Sequence, residues 1–150
     1  MAEQRKSSHF TDAPQPLIGA LLRIPWEEVR SRMLERLHER GFDDLDQAHL
    51  ALFQYPGPDG ARPSELAARL RVSKQAVNYL LGELERLGYL ERRPDPDDQR
   101  SKRVVLTRRG RRVVETIRDA VAGVEAEWSA RLGARRFAEL RTLLRELAAE

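Results

Sequence analysis

Residues 63–107 read PSELAARLRVSKQAVNYLLGELERLGYLERRPDPDDQRSKRVVLT, and this stretch decides the fold. Leu66, Ala67 and Leu70 recur on one side of a helical pattern, and Pro63 suits its first turn, where a missing N–H has no partner to lose. After a tight connection, Ser73 is the natural cap of a second helix, with Val77, Leu80, Leu81, Leu84 and Leu87 pointing inward and Gly88 ending it. Tyr89–Arg93 and Lys102–Leu106 then read as paired strands. Between them, Pro94 to Gln99 forms a turn that no central strand would accept. Two short helices followed by a charged hairpin suit a helix-turn-helix with a β-ribbon appended, an arrangement that holds double-stranded DNA.

The flanks read as helices. On the N-terminal side, Leu17, Ile18, Leu21 and Leu22, then Val29, Met33, Leu34 and Leu37, recur at helical spacing. Pro25 interrupts them and predicts either a kink near Arg23–Trp26 or a fresh helix starting there. Gly41 closes the element, Leu45 to Tyr55 gives a second helix, and Pro56 to Gly60 is a loop. On the C-terminal side, Thr107 caps a long helix striped by Val113, Ile117, Ala120, Val121, Val124 and Trp128. Gly133 breaks it, and a last helix carries Phe137, Leu140, Leu143, Leu144 and Leu147. Stripes of this length exceed what a 150-residue chain with a small core needs, so the terminal helices are expected to pair two chains. The expected organisation is a loose arm over 1–16 and one domain over 17–150. Within it, 17–45 and 108–150 form the dimerisation helices and 46–107 the winged lobe. The fold class is mainly α with a small antiparallel β-hairpin wing.

Composition narrows the partners. The chain carries a net charge of +3 with 34% charged residues. From Arg86 to Arg112, ten basic residues face four acidic ones, a surplus of six, leaving the remainder at −3. A concentrated basic belt on a nearly neutral protein points to a localised polyanion contact. The absence of cysteine excludes disulfides, thiol redox sensing and cysteine zinc sites. No apolar run reaches membrane-spanning length and the N-terminus lacks a signal-type core, so no membrane partner and a cytoplasmic setting are expected.

The candidate interface has two parts. Ser73, Lys74, Gln75, Asn78 and Tyr79 form an acid-free outer face on the second helix of the motif. Gln and Asn can pair with adenine, Lys can reach guanine or phosphate, and Ser and Tyr can bind phosphate oxygens. On the ribbon, Arg100 is suited to a narrow minor groove, and Asp98 is expected to orient Arg100 or another nearby arginine. Arg92, Arg93, Lys102 and Arg103 would add phosphate attraction.

The segments SELAARL, SKQAVNYLL, LERLGYLERR and DPDDQRSKRVVLTRRG together resemble the MarR family of bacterial winged helix-turn-helix transcription regulators, with the family's Asp-x-Arg wing motif at Asp98 and Arg100. The resemblance implies a homodimer with interleaved terminal helices on a palindromic operator, and a repressor released by a small anionic or aromatic ligand. It also implies a ligand crevice between the dimer helices and the lobe, for which Trp26, Arg30, His49, Phe53 and Tyr55 are the candidates. Arg62 departs from the family's frequent Thr or Ser helix cap, and Pro25 is uncommon in the first helix.

Two other readings stand beside this one. A winged helix can bind protein instead of DNA, and His38 with His49 could serve a metal-responsive regulator. Neither a phosphate loop nor an H-E-x-x-H pattern occurs, and the histidines lack a catalytic setting, so no enzyme activity, cofactor or catalytic residue is expected.

Overall fold

The computed structural model describes residues 15–54 and 60–149. The expectations for residues 1–14, for Tyr55 and for the loop through Asp59 lie outside them. Six helices and one hairpin follow in the order α1 (Ile18–Glu39), α2 (Gln47–Leu50) continued by a 3₁₀ turn (Ala51–Gln54), α3 (Pro63–Leu70), α4 (Lys74–Arg86), β1 (Leu90–Pro94), β2 (Lys102–Leu106), α5 (Arg108–Leu132) and α6 (Ala134–Ala148). The long helices α1 and α5 pack against each other, and α6 folds back on α5.

Local chemistry explains most boundaries. Ser73 Oγ accepts from Ala76 N at 3.1 Å to start α4. Thr107 Oγ1 accepts from Gly110 N at 3.1 Å to start α5, and its hydroxyl donates to the Gly88 carbonyl at 2.7 Å. The same side chain therefore caps one helix and ties it to the end of another. Gly110 is required there: a Cβ would lie 2.0 Å from the Tyr89 carbonyl oxygen. The turn between α3 and α4 is tight enough to force Arg71 into left-handed geometry, with φ of 53°.

Three expectations need correction. Pro25 neither breaks nor restarts α1, which runs unbroken through it. The Leu21 carbonyl that loses its helical donor sits on a half-exposed turn, where water can replace the bond. The helix expected from Leu45 to Tyr55 is a single α turn continued as 3₁₀. Asp46 delays its start by accepting from Ala48 N at 2.8 Å, and tightening to three residues per turn brings buried Leu50 and Phe53 into line. The first strand is shifted by one residue, so Pro94 pairs with Lys102 at the strand's end instead of opening the turn; an end position loses no interior ladder bond.

The wing also has a third strand-like contact that the sequence pattern did not reveal. Ala61 exchanges two backbone hydrogen bonds with Val104, at 3.0 and 2.8 Å. The Gly60 beside it has φ of +80° and no room for a Cβ against the Val104 carbonyl.

One buried cluster runs through the molecule. It joins Met33 and Leu37 of α1, Leu66 of α3, Val77, Leu81 and Leu84 of α4, Tyr89, Val104 of β2, and Val113 and Ile117 of α5. The N-terminal half of α1 and all of α6 stand outside it: α6 has no buried residue.

Candidate nucleic-acid interface

Helix α4 is held by its inner face, which leaves its N-terminal outer face open. Ser73, Lys74, Gln75, Asn78 and Tyr79 are all exposed, Tyr79 by 67%. Besides the Ser73 cap, two of them are already engaged within the helix. Asn78 Nδ2 donates to the Lys74 carbonyl at 2.9 Å, and Tyr79 OH donates to Glu83 Oε1 at 3.2 Å. The face is thus assembled as the sequence pattern anticipates, with Asn78 and Tyr79 oriented before any partner arrives.

The other oxygen of Glu83 leads inward. It lies 3.4 Å from His49 Nε2, and His49 Nδ1 accepts from Asp46 N at 3.2 Å. The buried ring is thus held between Asp46, whose Oδ1 also lies 3.2 Å from Nδ1, and Glu83. His49 is a strut beneath the exposed face of α4.

The wing departs from the sequence reading in its choice of carboxylate. Asp98 Oδ1 accepts from the Arg100 backbone N at 3.0 Å and shapes the tip; among the described residues no guanidinium pairs with it. The orienting group is Asp95, 1% exposed. It holds Arg62 Nε at 2.5 Å and lies 3.7 Å from Arg103 Nε. It also accepts from Asp97 N at 3.0 Å. The Arg62 hydrogen bond, above all, keeps the Asp95 carboxyl below its ordinary range, and the same contact raises the Arg62 guanidinium. Arg62 is thus a brace between the start of α3 and the wing. Its helix start is served instead by Glu65, whose carboxylate accepts from Arg62 N at 3.0 Å.

The wing cations fall into two groups. Arg92 pairs with Glu85 at 3.2 Å, Arg93 pairs with Glu91, and Arg103 leans on Asp95. Arg100 and Lys102 are exposed, with no ion pair among the described residues. These two cations project from the tip without a carboxylate partner, beside the exposed Asp97 and Asp98.

The five crevice candidates are not brought together. His49 and Phe53 are buried in the lobe, Phe53 edge-on to Tyr89 with ring centroids 5.9 Å apart. Arg30 Nη2 donates to Gln47 Oε1 at 2.7 Å, and Tyr55 is outside the described residues. Trp26 alone lines a cavity, an apolar groove of about 650 Å³ shared with Leu21, Leu22, Val29, Trp128 and Leu144. For the metal reading, His38 Nε2 lies 3.0 Å from the Leu45 carbonyl. No group of three or more metal-ligating side chains occurs among the described residues. None of the helices described is long and apolar enough to cross a membrane.

Comparison with known proteins fits this geometry. The sequence profile of the MarR family matches residues 44–101, the span from the α1–α2 loop to the wing tip. The transcriptional regulator Tm0710 of Thermotoga maritima is 30% identical, with 87% of this chain and 91% of that one covered and a TM-score of 0.58. MarR of E. coli is 24% identical, with 91% and 100% covered and a TM-score of 0.69. The chain belongs to the MarR family. A curated relative, the HTH-type transcriptional regulator YkoM of Bacillus subtilis (strain 168), is 30% identical over 92 residues. That match takes in 61% of this chain, which spans only 58% of the relative's length. In MarR terms, α3 and α4 are the helix-turn-helix, β1 and β2 the wing, and α1, α5 and α6 the terminal helices.

Proposed function

We propose that the protein is a homodimeric, sequence-specific DNA-binding regulator that occupies a palindromic operator, acting as a repressor relieved by a small anionic or aromatic ligand. The observation that carries the reading is the pairing of an acid-free, exposed face on α4 with exposed Arg100 and Lys102 on the wing, which have no ion pair among the described residues. The helix face suits base edges in a major groove, and the tip suits the adjacent minor groove and its phosphates. Two copies supply two such units, and a palindrome matches their twofold symmetry.

The dimer part rests on the exposed apolar side of the terminal helices, where Leu17, Ile18, Leu21, Leu22, Leu143, Leu144 and Leu147 are between 41% and 82% exposed. Two proteins of the same fold support the choice of partners. MepR of S. aureus was solved bound to an oligodeoxyribonucleotide (21% identical, 89% and 97% covered, TM-score 0.58). CouR of Rhodococcus jostii RHA1 was solved with p-coumaroyl-CoA (22% identical, 92% and 96% covered, TM-score 0.72). One relative bears on the direction of control. BadR of Rhodopseudomonas palustris, 39% identical over 59 residues, is named a transcriptional activatory protein, and this chain spans 34% of it.

Selection of duplexes from a random pool tests the reading. The expected product is a palindrome with half-sites about one helical turn apart, bound with an affinity that falls steeply as salt rises. A flat salt response with no enriched sequence would overturn it in favour of a protein-binding winged helix. A reporter driven by the selected operator then separates repression from activation.

A further inference from the structure

Outside the wing, positive charge also gathers where α1 ends and α5 begins. Arg40, Arg108, Arg109 and Arg112 line a cleft of about 630 Å³ with Gly41 and Phe42. Only Arg109 is fully committed there: it donates to the Leu87 carbonyl at 2.9 Å, to Asp44 at 3.0 Å and to the Tyr89 hydroxyl at 2.9 Å. Arg112 lies over the Phe42 ring with its guanidinium carbon 5.9 Å from the centroid, a contact that leaves its N–H groups available. Arg40 and Arg108 are exposed and, among the described residues, carry no ion pair.

This arrangement is unfavourable for an empty site. The first turn of α5 holds no acidic residue and begins Arg108-Arg109, although a helix N-terminus carries partial positive charge and prefers anions. Like charges converging from two helices on one cleft add to that repulsion, which a bound anion would relieve. The cleft is also remote from the recognition face. Arg109 grips the C-terminal end of α4, about 18 Å along that helix from Lys74 at 1.5 Å per residue.

We propose that this cleft is a binding site for a small, multiply charged phosphoryl anion. Planar guanidinium forks match phosphoryl oxygens in paired hydrogen bonds, and the number of converging cations calls for more than one negative charge. Such an anion would sit beside Arg109, the residue that clamps Asp44 and Tyr89 at the junction of α1, α4 and α5.

Inorganic pyrophosphate is the probe, titrated calorimetrically into the full chain at constant ionic strength set with chloride. Saturable binding is expected, weakened at least tenfold in Arg40→Gln/Arg108→Gln and retained in the wing variant Arg100→Gln/Lys102→Gln. Neither pair of side chains holds up the fold, and far-UV circular dichroism verifies this. Without pyrophosphate, Arg108→Gln alone should raise the melting temperature by removing repulsion at the helix start. Absence of saturable binding to the wild type, undiminished affinity in Arg40→Gln/Arg108→Gln, or loss confined to the wing variant would overturn the proposal. Binding in this assay is independent of DNA, so failure of the operator reading would leave it intact.

Discussion

In the winged lobe, Leu66, Val77, Leu81, Leu84 and Val104 are each at most 1% exposed, whereas along α6 nothing is buried and Leu147 remains 81% exposed. Both regions are built from leucine-rich amphipathic helices. The difference lies in what covers them: α3, α4 and the hairpin close on each other and on the lower parts of α1 and α5. The outer half of α1 and α6 meet only along a groove, leaving their remaining apolar surface open. Each large apolar side chain removed from water contributes about 1.5–3 kcal/mol, so an open row of them strongly favours a second copy. The lobe closes within one chain, and on the proposed reading a second copy completes the terminal layer.

Substitutions can break this contrast from either side. Placing charges in the groove, Leu22→Glu with Leu144→Glu, should give monomers at micromolar concentration by sedimentation velocity. Operator affinity should drop about 10²–10⁴-fold as the two half-sites cease to be linked. A substituted protein that stays dimeric would mean the groove lies outside the interface. Within the lobe, Leu81→Ala should cost about 2–5 kcal/mol in urea unfolding. Arg100→Ala should leave folding alone and lower operator affinity by about 1–3 kcal/mol in a gel-shift titration. Asn78→Ala should relax sequence preference while non-specific binding persists. Parallel loss of both would make Asn78 a backbone contact. Ser73→Ala, which deletes the α4 cap, should cost about 1 kcal/mol.

A pH titration sharpens the picture of the wing. Asp95 ionises below its ordinary value of 3.8 because of Arg62, so the folded state binds its proton less readily than the unfolded chain. Its contribution is complete above that value and is lost as acid takes the pH down through the lower folded value. Asp95→Asn should flatten the fall in stability below about pH 4, and an unchanged acid limb would show that the Arg62–Asp95 brace is not coupled to folding.

Helix starts at Pro63, Ser73 and Thr107, the stop at Gly133 and the inward leucines of α4 were legible because each depends on one residue's own chemistry or on a simple period. The exposed face Ser73–Tyr79 was legible for the same reason, as the complement of a buried stripe. What stayed hidden depended on distant neighbours. Arg62 and Asp95 are 33 positions apart in sequence, and nothing local signals that Asp95 is buried while Asp98 is not. The Ala61–Val104 bridge is likewise a long-range pairing without a pattern of its own. Pro25 was misread because the rule against interior proline presumes a carbonyl that cannot find water, and α1 is exposed there.

The account as a whole stands on stoichiometry. Sedimentation equilibrium of the protein with the duplex recovered from selection should give two chains per palindrome, and a dimer in its absence. One chain per duplex, or a monomer at micromolar concentration that binds no duplex at low salt, would contradict it.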